Sequence, residues 1–133
     1  MSHENAETLR RATEAFDRAD KAAWLSTVDP DALMVPAREW PEYAPIRGSE
    51  AIWDFYVEVT GAWAEAPSEL AEIREVGDDT VVVNNRREAR GRASGAGVPF
   101  DYWSVTTFRR GKIARMEWFS DRGQAFEAAG LSE

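Results

Sequence analysis

The stretch "FDYWSVTTFRRGKIARMEWFSDRGQAFEAAGL", Phe100 to Leu131, holds two alternating segments and one segment with helical spacing. Arg110 and Gly111 stand between the alternating segments and predict a tight two-residue hairpin turn. Ser120 or Asp121 can then cap a short helix. The stretch therefore predicts an antiparallel hairpin followed by a C-terminal helix.

The turn sets which side chains of the hairpin share a face. Counting outward from it pairs Phe108 with Ile113 and Trp103 with Trp118. The more apolar face would then point inward and carry Trp103, Val105, Thr107, Ala114, Met116 and Trp118. The opposite face would point outward and carry Ser104, Thr106, Arg115 and Glu117, with Tyr102 and Phe119 at its rim.

The charged strand "TVVVNNRREARGR" precedes this hairpin. A four-residue loop at 94–97 would place Glu88 opposite Trp103. The inward face would then also carry Asn84, Arg86, Glu88 and Asp101. A slip of one residue would turn all four outward. A charge-rich strand is also typical of a solvated face, with Arg86–Glu88 or Arg90–Asp101 as simple ion pairs.

The first half of the chain predicts helices that cover the inward face of the sheet. Apolar residues recur at helical spacing near Phe16, Trp24 and Phe55. "DPD" at Asp29–Asp31 predicts a turn, and "PAREWPEYAPIRG" at Pro36–Gly48 predicts a long loop at the mouth of a cavity. We expect the cavity to be lined by Trp118, Trp103, Met116, Asn84, Phe16, Trp24, Phe55, Tyr56, Trp40 and Tyr43. Helices followed by an antiparallel meander form an α+β plan.

Composition narrows the classes of function. The chain has 133 residues, which suits one domain, and it contains no cysteine. Its 16 basic and 24 acidic residues give a net charge of −8, which argues against nucleic-acid partners. No apolar run is long enough to span a membrane, and "MSHENAETLRR" lacks the apolar centre of a signal peptide. We expect a soluble cytoplasmic protein with no membrane partner.

The residues that remain for chemistry are few. Without cysteine, and with His3 near the terminus as the one histidine, acid–base work falls to Asp, Glu, Tyr and Arg. The carboxylates show no metal-ligand spacing, and "GRASGAG" joins two strands rather than a strand and a helix. We therefore expect no metal and no nucleotide, flavin or other cofactor.

Four segments in order resemble the nuclear transport factor 2-like superfamily, in its SnoaL-like domain family. They are "ENAETLRRATEAFDRADKAAWLSTVDPDA", "IRGSEAIWDFY", "EVGDDTVVV" and "RRGKIARMEWFSDRGQAFEAAGL", and they extend over nearly the whole chain. The resemblance implies a cone-shaped α+β barrel, with N-terminal helices on a curved antiparallel sheet. Members of this fold act as isomerases, cyclases, hydrolases or lyases, or as binding modules, so the fold does not fix the function.

The resemblance also implies specific site positions. Cyclases and epoxide hydrolases of the fold place an inward aspartate three residues before the Asp that starts the last helix. Here Asp121 starts the helix and Trp118 occupies that position. Arg86-Arg87-Glu88 half-matches the Arg-x-Asp pair of the epoxide hydrolases, with Glu in place of Asp.

Three functions stay open at this point. The first is the binding of a small apolar molecule, polyketide-, steroid- or terpenoid-like, in an aromatic cavity. The second is cofactor-independent acid–base catalysis by Glu88, with Arg86 or Tyr43 steadying an oxyanion and Asp101 as the next candidate acid. The third is a structural dimerisation domain. We also expect a homodimer through the outward sheet face.

Overall fold

The computed structural model describes residues 2–38, 44–60, 69–90 and 97–131, without the side chains of 2, 59–60, 87–90 and 97–100. These residues form four helices and six strands in the order α1 Ser2–Asp17, α2 Lys21–Thr27, β1 Val28–Val35, β2 Ile46–Arg47, α3 Ser49–Thr60, β3 Glu69–Val76, β4 Thr80–Arg90, β5 Gly97–Arg109, β6 Lys112–Phe119 and α4 Arg122–Ala128. None of these helices is long and apolar enough to span a lipid bilayer.

The six strands form one sheet in the order β2-β1-β6-β5-β4-β3. The β1–β6 pair is parallel and every other pair in this sheet is antiparallel. Because β2 and β3 are the two edges, the described sheet is open rather than a closed barrel. The predicted α+β fold, with helices packed on a curved sheet, is confirmed.

Apolar residues cover both faces of this sheet. We call the face against α1, α2 and α3 the inner face, and the face against α4 the outer face. The inner core buries Leu9, Ala12, Ala15, Trp24, Val28, Ala32, Met34, Ile52, Trp53, Phe55, Val81, Val83, Phe108, Ile113 and Met116. The outer core is smaller and buries Val82, Trp103, Val105, Ala125 and Phe126. Each face thus excludes water from its own set of alternating side chains.

The hairpin turn between β5 and β6 forms at the predicted residues. Arg110 and Gly111 both adopt positive φ, 55° and 78°, as a two-residue primed turn requires. Phe108 pairs with Ile113 as predicted, but Thr107 then pairs with Arg115. Ala114 is therefore an extra residue in β6, and this β-bulge shifts the rest of the strand by one position.

Because of the bulge, the prediction of the inward face is wrong for half of the hairpin side chains. Trp118 and Met116 pack on the inner core, as predicted, but Trp118 pairs with Ser104 instead of Trp103. Trp103 pairs with Phe119 on the outer face. The exchanged positions on β5 are Trp103 and Val105, which face α4, and Ser104 and Thr106, which are buried on the inner face.

The predicted dimer surface changes with this register. Ser104 and Thr106 are buried inside and cannot belong to an outward surface. Arg115 and Glu117 do remain on the outer side, where their side chains form an ion pair of 3.2 Å. The homodimer itself stays a prediction.

The predicted register of β4 is also wrong. Asn84 pairs with Trp103 and Arg86 pairs with Asp101, so Glu88 lies opposite Pro99 instead of Trp103. The difference arises because Arg90 pairs with Gly97, so six residues rather than the assumed four separate the two strands, and the register shifts by four residues. "DPD" is likewise part of β1, where the β1–β6 register shifts, and not a separate turn.

The short helix α4 is capped and anchored to the outer face. The Asp121 carboxylate accepts the Gln124 backbone N–H at 3.1 Å, so the predicted cap is confirmed. Arg122 donates two hydrogen bonds to Glu72, at 3.3 and 3.0 Å. Its guanidinium also lies 4.0 Å from the Phe126 ring centroid. The hydrogen bonds from Arg122 lower the pKa of the Glu72 carboxyl below its ordinary value.

Glu72→Gln should make stability less dependent on acid pH. Because the folded-state pKa is below the ordinary 4.5, the ion pair stabilises fully above that pH and is lost as pH falls through the folded-state value. Urea denaturation should show wild type more stable than Glu72→Gln at pH 7, with the gap closing below about pH 4.5. Glu127→Gln, exposed on α4, is the control. A gap that does not change with pH would contradict this account.

The strained position in the hairpin turn offers a second test. Arg110→Asn should stabilise the protein, since Asn tolerates the left-handed conformation that costs most L-residues about 1–2 kcal/mol. Gly111→Ala in the same turn should destabilise it by about 1 kcal/mol for the same reason. Thermal unfolding of the two variants should give shifts of opposite sign, and shifts of the same sign would refute the turn geometry.

Candidate functional site

Tyr56 and Trp118 form the centre of an aromatic cluster on the inner face. The indole Nε1–H of Trp118 donates to the Tyr56 hydroxyl oxygen at 3.0 Å. The two rings are perpendicular, with centroids 6.2 Å apart and an interplanar angle of 89°. The Tyr56 hydroxyl in turn donates to the Met116 sulfur at 3.4 Å. The Tyr56–Trp118 pair thus ties α3 to β6.

Aromatic side chains of α1, α2 and α3 surround Tyr56. Phe16 and Trp24 meet its ring edge to face, with centroids at 5.9 and 6.2 Å. Trp53 contacts both of them, at 5.3 and 5.4 Å. The sequence prediction did not include Trp53 among the cavity residues; an apolar stripe as wide as is usual for a helix of a globular protein would include it.

The hydroxyl of Tyr56 keeps its proton at neutral pH. Removal from water raises its pKa above the ordinary value of 10.0, and the Trp118 N–H donor offsets only part of that shift. The residue as a whole is only half-buried, but its oxygen lies between Trp118 and Met116. Tyr56 is therefore a hydrogen-bond donor at this site rather than a base.

The interior is electrically neutral wherever side chains are described. Among those residues no Asp, Glu, His, Lys or Arg is buried, and the buried polar ones are Asn5, Thr8, Thr27, Ser49, Asn84, Ser104 and Thr106. The same part of the chain contains no group of acidic and histidine residues that could hold a metal ion. Polar contact on the inner face is thus made by neutral groups.

The predicted cavity residues separate into two groups. Those found in or against the inner core are Phe16, Trp24, Phe55, Tyr56, Met116 and Trp118. Trp103 lies on the outer face and does not line the inner side. Trp40 and Tyr43 are outside the described residues, and so is the side chain of Glu88.

The polar candidates on β4 and β5 meet each other instead of the aromatic cluster. Asn84 is buried and donates from Nδ2 to the Asp101 carboxylate at 2.7 Å and to the Tyr102 carbonyl at 3.3 Å. Arg86 Nε lies 3.7 Å from the other Asp101 oxygen, and more than half of each of these two side chains is exposed. By register, this group shares the face of Trp103. Its charges are therefore neutralised by partners and by solvent.

The sequence from residue 9 to residue 116 matches the model of the SnoaL-like domain family. That match extends over most of the chain. The chain belongs to the SnoaL-like domain family. No curated protein sequence is significantly similar to this SnoaL-like domain.

Solved structures give the same fold. A candidate SnoaL-like polyketide cyclase from Jannaschia sp. CCS1 superposes with a TM-score of 0.77 at 18% identity, over 99% of this chain and 95% of that one. An NTF2-like protein of unknown function from Burkholderia pseudomallei gives 0.75 at 23% identity, over 93% and 95%. TerC, co-crystallised with polyporic acid, gives 0.74 at 25% identity, over 96% and 98%.

The two tryptophans of the hairpin should differ in their contribution to stability. Trp103 is only 8% exposed beneath α4, so Trp103→Ala should lower the free energy of unfolding by about 3–5 kcal/mol. Trp118 is half-buried, so Trp118→Ala should cost less. Denaturant unfolding of both variants measures this order, and a larger loss for Trp118→Ala would contradict the assigned faces.

Proposed function

We propose that this SnoaL-like domain binds a small apolar molecule, polyketide-, steroid- or terpenoid-like, against the inner aromatic cluster. The observation that carries the proposal is the Tyr56–Trp118 pair. Both side chains are only half-buried, although they pack on a core whose other aromatic members, apart from Phe16, are buried. A flat apolar molecule placed there would bury this remaining aromatic surface.

The polarity of the Tyr56–Trp118 pair further limits the chemical class of the ligand. The Tyr56 hydroxyl keeps its proton and donates to a thioether, which is a weak acceptor. A carbonyl or hydroxyl oxygen is a stronger acceptor and would compete for that proton. A charged ligand is disfavoured, because burying a charge without a partner is costly and no charged side chain is buried among the described ones.

One structural relative supports small-molecule binding. TerC, which is 25% identical over 96% of this chain, was co-crystallised with polyporic acid. Polyporic acid is therefore one probe for the present protein; because it is an acid, it is titrated beside neutral probes, which the uncharged inner face favours.

Acid–base catalysis has weaker support than binding. Glu88 would be a base with a raised pKa only beside Trp103, and it pairs with Pro99 instead. Arg86 and Asp101, the other two candidates, contact each other at 3.7 Å on an exposed part of the sheet. Trp118 occupies the place where the cyclases and hydrolases of this fold carry an aspartate. We therefore rank binding above catalysis.

Matched tryptophan variants test the proposal. Polyporic acid, 2-naphthol and progesterone would be titrated calorimetrically into wild type, Trp118→Phe and Trp103→Phe. Trp118→Phe removes the indole N–H and part of the aromatic surface, so the affinity for a bound probe should fall about five- to tenfold. Trp103→Phe, on the outer face, should keep the wild-type affinity.

Two outcomes would contradict the proposal. The first is that none of the three probes binds wild type saturably. The second is that Trp103→Phe weakens binding as much as Trp118→Phe, which would indicate a general loss of structure or a site on the outer face. Circular dichroism of each variant confirms that the fold is retained before the affinities are compared.

A further inference from the structure

Two buried hydroxyls lie within the otherwise apolar inner face, and the aromatic cluster does not explain them. Ser104 and Thr106 are only 2% and 1% exposed, and their side-chain oxygens are 3.3 Å apart. We call them the hydroxyl pair. The residues that pair with them on β4, Val83 and Val81, are apolar members of this core, so apolar packing alone would not require hydroxyls here.

The hydroxyl pair has hydrogen-bonding capacity beyond its own contact. Each hydroxyl can donate one proton and accept at two lone pairs. The bond between the two oxygens uses one proton and one lone pair, in either direction. One proton and three lone pairs remain, so the pair could both donate to and accept from a ligand.

The register places the hydroxyl pair beside the Tyr56–Trp118 pair. Ser104 is directly opposite Trp118, and Thr106 is directly opposite Met116, the acceptor of the Tyr56 hydroxyl. Directly opposed residues on neighbouring strands have Cβ atoms about 4.5–5.5 Å apart. The hydroxyl pair and the Tyr56 hydroxyl are therefore neutral polar groups that neighbour the same two residues of β6, Met116 and Trp118.

We propose that the hydroxyl pair is a specificity determinant that selects apolar ligands carrying a second oxygen function. This inference rests on the proposed function. One ligand oxygen would accept from Tyr56, and another would bond to Ser104 or Thr106. A ligand with only one oxygen would make one of these hydrogen bonds and forgo the other. The ligand class is thus a neutral diol, hydroxyketone or diketone on a ring skeleton.

Three probes with one skeleton test this inference: naphthalene, 2-naphthol and 2,6-dihydroxynaphthalene. They carry no, one and two hydroxyls. Equilibrium dialysis would measure their affinities for wild type and for Ser104→Ala, Thr106→Val and the double variant. Wild type should bind the diol about five- to tenfold more tightly than 2-naphthol, the value of one additional hydrogen bond. The variants should lose that preference and keep their affinity for 2-naphthol within about twofold.

Thr107→Val is the matched control. Thr107 neighbours Thr106 on β5. It pairs with Arg115, and its side chain lies on the outer face, away from the inner core. This variant should keep the wild-type preference for the diol. A purely structural role of the hydroxyl pair would lower the unfolding temperature of the variants and leave the ratio of the two affinities unchanged.

Failure of this inference can be distinguished from failure of the proposed function. If 2-naphthol binds wild type but the diol shows no preference, or the variants keep that preference, the inference is wrong and the proposed function stands. If none of the three probes binds wild type, while polyporic acid and progesterone also fail, both are wrong. Should the double variant not fold, the diol-to-naphthol ratio of Ser104→Ala decides alone.

Discussion

The extra residue in β6, Ala114, determines which side chains of the last hairpin meet the helices. Beyond the first pairs after the turn, it shifts the pairing of β6 with β5 by one residue. Each later side chain of β6 therefore shares a face with the other set of alternating β5 side chains. Trp118 therefore lies above the small side chain of Ser104 on the inner face, while Trp103 packs under α4 on the other side. Without the bulge, two indoles would compete for one face, and the outer core would lose its largest side chain.

This division leaves ionic groups outside both cores in the described part of the chain. On the outer face, Arg122 binds Glu72 and covers the Phe126 ring, so charge is used to fasten α4. On the inner face, Tyr56, Trp118, Ser104 and Thr106 supply polar atoms that are neutral. A neutral apolar surface with a few hydrogen-bonding groups is suited to binding and orienting a small molecule.

Local signals in the sequence predicted elements of secondary structure, but they did not determine which residues of neighbouring strands pair. Arg110-Gly111 and Asp121 each act within a few residues, so the turn and the cap were predictable. The bulge has no such signal: Ala114 is an ordinary strand residue, and hydrophobic alternation favoured Trp103 over Ser104 for the interior. Alternation identifies the interior side chains of a sheet when one of its faces is exposed to solvent. It fails here because α4 covers the second face, and for the same reason the hydroxyl pair was assigned to the outside.

The central claim is that ligands meet Trp118 and not Trp103. The chain has six tryptophans, so nitrogen-15-labelled protein gives six indole N–H signals, which Trp→Phe variants can assign. On titration with 2-naphthol, the account predicts that the Trp118 signal shifts most, because its N–H bonds to Tyr56 at the proposed contact. The Trp103 signal should stay in place. A shift of Trp103 with Trp118 unchanged would contradict the account.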